Sequence, residues 1–146
     1  MLRRAAFALV LAAAAPAGAV LPEYRLVMTA EEGPLDPAVE ARYTPALKAC
    51  QAKAETTDDN ARCFADEAKR QDAALNRVWK AVWTPLPAPR KAELLASQRK
   101  WIAARDPFCT KVADEFTGGT IHSLIWFNCN AEQSIRRTLW LERLGR

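Results

Sequence analysis

The sequence predicts an all-α fold, a small bundle of antiparallel helical hairpins tied by two disulfides. Three observations carry this reading. Apolar residues recur mostly three or four positions apart between residues 45 and 144, the period of a helix face. Strand signals are few, with no run of alternating β-branched residues bounded by turns. Four cysteines stand at positions 50, 63, 109 and 129, far enough apart to staple helices together.

The chain has 146 residues, half of them hydrophobic and 26% charged, which suits one globular domain with a real core and excludes a disordered or fibrous chain. Residues 1–19 read as a secretory signal peptide: Arg3 and Arg4, an apolar run over residues 5–15, then small residues up to Ala19. Cleavage near Ala19 sends the protein to the periplasm or outside the cell. The apolar run is too short to anchor the chain by spanning a bilayer, and no cysteine follows the cleavage site to carry a lipid. The formal charge of +4 falls to +2 without Arg3 and Arg4, too small for a nucleic-acid partner. Its distribution is uneven, with ten acids against five bases over residues 20–68 and seven against fourteen over residues 69–146. Oppositely charged helices packing within one domain account for this, and an acidic surface facing a basic partner is the sharper alternative.

Residues 20–35 show no periodicity, and Glu31-Glu32-Gly33-Pro34 marks them as an exposed, mobile arm; the helical domain then runs over residues 36–146. Asp36-Pro37 and Thr44-Pro45 each place a capping side chain before a proline at the first helical position, so a short turn precedes a helix over residues 45–55. Thr57, Asp58, Asp59 and Asn60 supply the next cap. Ala61, Phe64, Ala68, Leu75, Val78, Trp79 and Val82 then form the apolar stripe of a long helix ending near Trp83. Pro85, Pro87 and Pro89 break that helix, and Pro89 starts another, with Leu94, Leu95, Gln98, Trp101, Ile102 and Arg105 on one face. Pro107 predicts a kink or restart. Phe108, Cys109, Val112 and Phe116 continue to a turn at Gly118-Gly119. The last helix begins between Ile121 and Asn128 and carries Ile135, Thr138, Leu139 and Leu144 inward.

With one histidine, His122, and no Cys-x-x-Cys pair, zinc is disfavoured and the cysteines of an exported protein read as disulfides. Cys50 and Cys63 are equidistant from the turn around Thr56-Thr57, and Cys109 and Cys129 from Gly119. Antiparallel helices joined by those turns pair Cys50 with Cys63 and Cys109 with Cys129.

Folding the two long helices about Leu86-Pro87 sets Asn76 opposite Gln98 and Asp72 opposite Arg105. A carboxylate among apolar neighbours needs a partner, and a guanidinium supplies one; Asn76 and Gln98 pair in the same way. This polar seam reads as a register lock between helices rather than as an active site, because no nucleophile or second acid stands beside it.

The same residues carry a resemblance. Cys50, Cys63, Gln71-Asp72, Leu75-Asn76, Gln98, Trp101, Arg105-Asp106, Cys109, Gly118-Gly119, Cys129, Ser134 and Arg137 make residues 43–141 similar to the N-terminal domain of the lysozyme inhibitor LprI family. Trp79 stands where the family often has tyrosine, Ser134 where threonine is usual, and Pro107 interrupts a helix that is normally continuous. The resemblance implies a helical, disulfide-bonded envelope domain that binds a protein partner, with a lysozyme-like muramidase as the implied target. The residues themselves offer no metal cluster, phosphate loop or nucleophile with its base, so the chain reads as a non-enzyme without a cofactor.

Occlusion of a muramidase cleft calls for hydrogen-bond donors aimed at its two carboxylates. Residues 118–123 offer backbone amides, the Thr120 and Ser123 hydroxyls and the His122 imidazole. Glu31, Glu32, Asp58 and Asp59 form an acidic patch suited to steering toward a basic enzyme. The alternative is an envelope interaction module with no lysozyme target, which would use some of the five tryptophans; Trp126 beside the glycine turn is its candidate contact.

Overall fold

The structure, a computed structural model, describes Leu21, Tyr24, Leu26 and residues 36–146. The expected signal peptide and the acidic residues Glu31 and Glu32 lie outside the described residues. Of the arm, the three described residues differ from an exposed segment: Leu21, Tyr24 and Leu26 are half-buried against the main core, and the Tyr24 ring meets the Trp140 ring edge-on at 5.9 Å. Apolar side chains at alternate or near-alternate positions found a surface to cover, a signal too short to register as periodicity.

Five helices follow: α1 (Pro37–Glu40), α2 (Pro45–Gln51), α3 (Thr57–Trp83), α4 (Ala88–Asp114) and α5 (Thr120–Leu144), with no strand among the described residues. Asp36 caps α1 by accepting from Ala38 N, Thr44 caps α2 by accepting from Leu47 N, and both helices start on proline. Thr56 and Asp59 form a reciprocal capping box at the start of α3. The helix α2 ends four residues earlier than expected, at Gln51. No break occurs at Pro107, and α4 passes through it as one helix. The last helix starts at Thr120, one residue before the earliest expected start at Ile121, directly after two glycines at φ 102° and 96° that turn the chain where a side chain would be strained.

Register follows from a few contacts. Ser134 bonds Asp72 and Gly145 lies against Val82, so α3 and α5 run parallel. Arg137 reaches Ser97 and Cys129 is bonded to Cys109, so α4 runs antiparallel to both. The two helices flanking the proline turn do not form the expected face-to-face hairpin: each packs on α5, and their backbones barely approach one another. Indole rings occupy the space between them, with Trp79 stacked on Trp83 at 5.3 Å and Lys91 of α4 over Trp83 at 5.7 Å. Ile102, expected inward, is 54% exposed as a result.

The main core joins Leu75, Val82, Leu94, Trp101, Trp140 and Leu141. Cys109–Cys129 staples α4 to α5 with a Cα separation of 5.6 Å, and Cys50–Cys63 staples α2 to α3 at 5.7 Å. Each closes a short antiparallel hairpin and restricts the unfolded chain, worth roughly 2–4 kcal/mol per bridge.

Candidate functional site

Two places hold polar side chains in number, the inside of the bundle and the end that carries the glycine turn. Inside, Asp72 Oδ1 accepts from Arg105 Nη1 at 2.9 Å and from Ser134 Oγ at 2.6 Å, so one oxygen joins α3, α4 and α5. Arg105 also bonds Asp106 through Nε at 3.0 Å and lies over the Trp101 ring. Asn76 and Gln98 are not brought together. Asn76 faces solvent, because α5 stands where the α3–α4 contact was expected, and buried Gln98 accepts from Arg137 Nε at 2.9 Å instead.

Arg137 is wholly buried and also donates from Nη2 to Ser97 Oγ at 3.0 Å. Its guanidinium sits 4.1 Å from the Trp140 ring, with Tyr24 and Trp101 at 5.1 and 5.9 Å, and no carboxylate among the described residues pairs with it. Burial pulls its pKa down to about 10, against the opposing effect of Tyr24. Burial likewise pushes the Tyr24 hydroxyl up to about 12. An aromatic cage around a buried cation is packing chemistry, closed to substrate.

A second buried polar centre belongs to Glu67, which accepts from Thr44 N, Thr44 Oγ1, Gln71 Nε2 and Arg70 Nε at 2.9, 2.5, 2.7 and 2.9 Å. Gln71 Nε2 also donates to the Arg42 carbonyl. Burial works to raise the Glu67 pKa, and the hydrogen bonds from Thr44, Gln71 and Arg70 outweigh it, so the carboxyl stays below its ordinary value. Sequence reasoning missed Glu67, Gln71, Ser134 and Arg137 as members of this network. The signal for the first two was present: Cys63, Glu67, Gln71 and Leu75 recur every fourth residue on the buried stripe of α3.

At the other place, Asp58 and Thr120 each stand fourteen residues before Asp72 and Ser134 on parallel helices, about 21 Å along the axis. The start of α3 and the glycine turn therefore share one end of the bundle. Asp58 and Asp59 both pair with Arg62, and Asp59 also bonds Thr56, whose hydroxyl draws its pKa down to about 2. Thr120 and Ser123 are exposed. His122 Nε2 lies 2.9 Å from Asp114 Oδ1, bracing the turn. Trp126 is no open patch: it packs on the Cys109–Cys129 bridge, with its Nε1 donating to Thr110 Oγ1 at 3.2 Å. The exposed apolar residues at this end are Phe116 and Ile121. Gly119, the N-cap of α5, supplies no capping side chain, and open space surrounds both glycines. The first amides of α5 thus face outward as donors at the positive end of a 25-residue helix.

Among the described residues no group of three or more His, Cys, Asp or Glu is placed to hold a metal ion, and no helix is long and apolar enough to cross a membrane.

A disulfide-stapled helical scaffold with a locked polar interior, presenting its chemistry at one end, defines the class. Residues 48–141 match the lysozyme inhibitor LprI family, and the chain belongs to that family. No curated protein and no solved structure matches it.

Proposed function

We propose that this protein is exported to the periplasm by its N-terminal signal peptide, and that residues 36–146 bind a lysozyme-like muramidase and occlude its cleft without catalysis of their own. The observation that carries this reading is the uncapped start of α5 on the protruding Gly118-Gly119 turn, flanked by the Thr120 and Ser123 hydroxyls. A glycosidase cleft holds two carboxylates, and convergent neutral donors at a helix N-terminus suit them. Asp58 and Asp59 stand at the same end, but Arg62 offsets their charge, so the turn rather than the acidic patch carries the affinity. Family membership supports a lysozyme as the target class.

The test is lysis of a cell-wall suspension by a c-type lysozyme with the protein in excess. Inhibition that disappears with Gly119→Val supports the reading; undiminished lysis with wild-type protein discards it for that enzyme. Exposure of Phe116 and Ile121 beside the turn favours a second reading, an envelope interaction module that docks another protein through this apolar tip. Capture of periplasmic proteins by wild type but not by Phe116→Ser, with lysis unaffected, distinguishes it.

A further inference from the structure

Arg137 has a donor to spare inside its cage. Nε and Nη2 are used on Gln98 and Ser97, but Nη1 is sealed from solvent and has no hydrogen-bond partner. The same holds for Trp101 Nε1 and Trp140 Nε1, whose rings line the cage, and for the Tyr24 hydroxyl, whose ring closes it. Three of these four atoms can only donate, so the site is short of an acceptor, and beside a guanidinium an anionic oxygen is the acceptor that fits best. No described carboxylate serves. Burial lowers the Arg137 pKa and Tyr24 alone acts to raise it, while Glu132, whose charge reaches Tyr24, is paired with Arg136.

Tyr24 is the removable side of this cage. It belongs to no helix and stands thirteen residues before Pro37, the start of α1, whereas Trp101, Arg137 and Trp140 are fixed in α4 and α5. Its ring is held by packing, edge-on to Trp140 at 5.9 Å and with the Arg137 guanidinium over it at 5.1 Å. Its hydroxyl makes no hydrogen bond, in contrast to that of Tyr43, which donates to Asn128 Oδ1 at 3.0 Å. With Tyr24 seated, unpaired donors therefore remain on both sides of the contact, a costly arrangement away from solvent. We infer that Tyr24 is a displaceable plug, and that the cage beneath it binds a small apolar carboxylate. The ligand's apolar part takes the place of the phenol against Trp140, and its carboxylate accepts from Arg137 Nη1, with the Trp101 and Trp140 N–H groups in the same cage. Complete burial of Arg137 favours a small molecule over a protein chain. Arg137 stands seventeen residues along α5 from Thr120, about 25 Å from the glycine turn, so this site is separate from the one proposed for a muramidase.

The probes are 3-phenylpropionate and its neutral analogue 3-phenylpropionamide, titrated into wild type and Tyr24→Ala while NMR signals of the indole N–H groups and of the tyrosine rings are followed. Tyr24→Ala is expected to bind the carboxylate about tenfold more tightly than the amide, and more tightly than wild type does. In wild type, saturation with the carboxylate should move the Tyr24 ring signals toward those of a free tyrosine and leave the Tyr43 signals in place. Equal affinity for carboxylate and amide overturns the inference, because the cage then selects an aromatic ring and not an anion. Absence of binding to a folded Tyr24→Ala overturns it as well, and so does binding to wild type with Tyr24 unmoved. Should Tyr24→Ala fail to fold, the wild-type titration decides alone: saturable preference for the carboxylate with release of Tyr24 upholds the site, and anything less overturns it.

Discussion

Ser134 Oγ donates to Asp72 Oδ1 at 2.6 Å, onto the same oxygen that takes Arg105 Nη1 at 2.9 Å. Three helices thus meet at one atom, which fixes the height of α3 against α5 and of α4 against both. The Asp72 side chain is 45% exposed, so its charge is partly screened and the cluster is worth far less than a dry ion pair. Asp72→Ala is expected to cost about 1–2 kcal/mol, mainly through lost hydrogen bonds. Because both bonds share one acceptor, Asp72→Ala and Ser134→Ala should be strongly non-additive in urea unfolding. Additive losses would mean that the two residues stabilise independently and that the three-way junction is incidental.

Glu67 makes acid stability a specific expectation. Its folded pKa lies below the ordinary 4.5, so the unfolded chain binds the proton more readily, and its contribution is present above that value and lost as pH falls through the folded value. Glu67→Gln replaces an acceptor oxygen by a donor facing the Thr44 donors, at a cost of roughly 2–3 kcal/mol near neutrality. The gap between wild type and variant should narrow at pH 3. Urea midpoints measured at pH 7 and pH 3 decide it, and an unchanged gap would remove Glu67 from the account.

Both tyrosines of the chain are half-buried, with their hydroxyls desolvated, and have raised pKa values, Tyr24 to about 12 and Tyr43 also well above its ordinary value. In both, desolvation of the phenolate is the leading cause. Stability from these groups is full below pH 10 and declines as pH rises toward the folded values, because only the unfolded chain ionises in that window. Tyrosinate absorbance at 295 nm should therefore stay absent from the folded protein at pH 10.5 and appear on adding denaturant. A normal titration near pH 10 before unfolding would contradict the packing of Tyr24 on Trp140 and of Tyr43 on Phe64.

The sequence made helices, caps and disulfide pairs legible because each is a local matter. Asp36-Pro37 and Thr44-Pro45 depend on neighbours within a turn, the cap of α3 falls on Thr56, one residue before the expected Thr57, and each cysteine pair closes over one short connection. Partner choice among long helices was not legible. Reflecting α3 onto α4 about Leu86-Pro87 gave the right height for Asp72 and Arg105, yet it could not show that α5 takes the facing position. With α5 there, Gln98 turns to Arg137 and Asn76 to water. At the candidate site, the glycine turn was visible in sequence, while the engagement of Asp58 and Asp59 by Arg62 and of His122 by Asp114 needed three-dimensional neighbours. The cage around Arg137 was invisible for the same reason, since α4, α5 and Tyr24 of the arm build it.

Pro107 provides the last test, because continuous passage of α4 through a proline has a definite cost. The residue offers no N–H to the Ala103 carbonyl, and its ring crowds that oxygen. Pro107 is exposed, so its replacement removes no core packing. Alanine would restore the hydrogen bond but give back unfolded-chain freedom worth about 0.4–1 kcal/mol. The restored bond and relieved crowding outweigh that loss, and Pro107→Ala should stabilise the protein by about 1 kcal/mol, a rise of roughly 4 °C in Tm. The same substitution should leave the Cys109–Cys129 bridge formed, as shown by unreduced peptide mapping. A lower Tm would mean that the bend imposed by proline, rather than helix continuity, is what lets α4 reach α5 on both sides of Arg105.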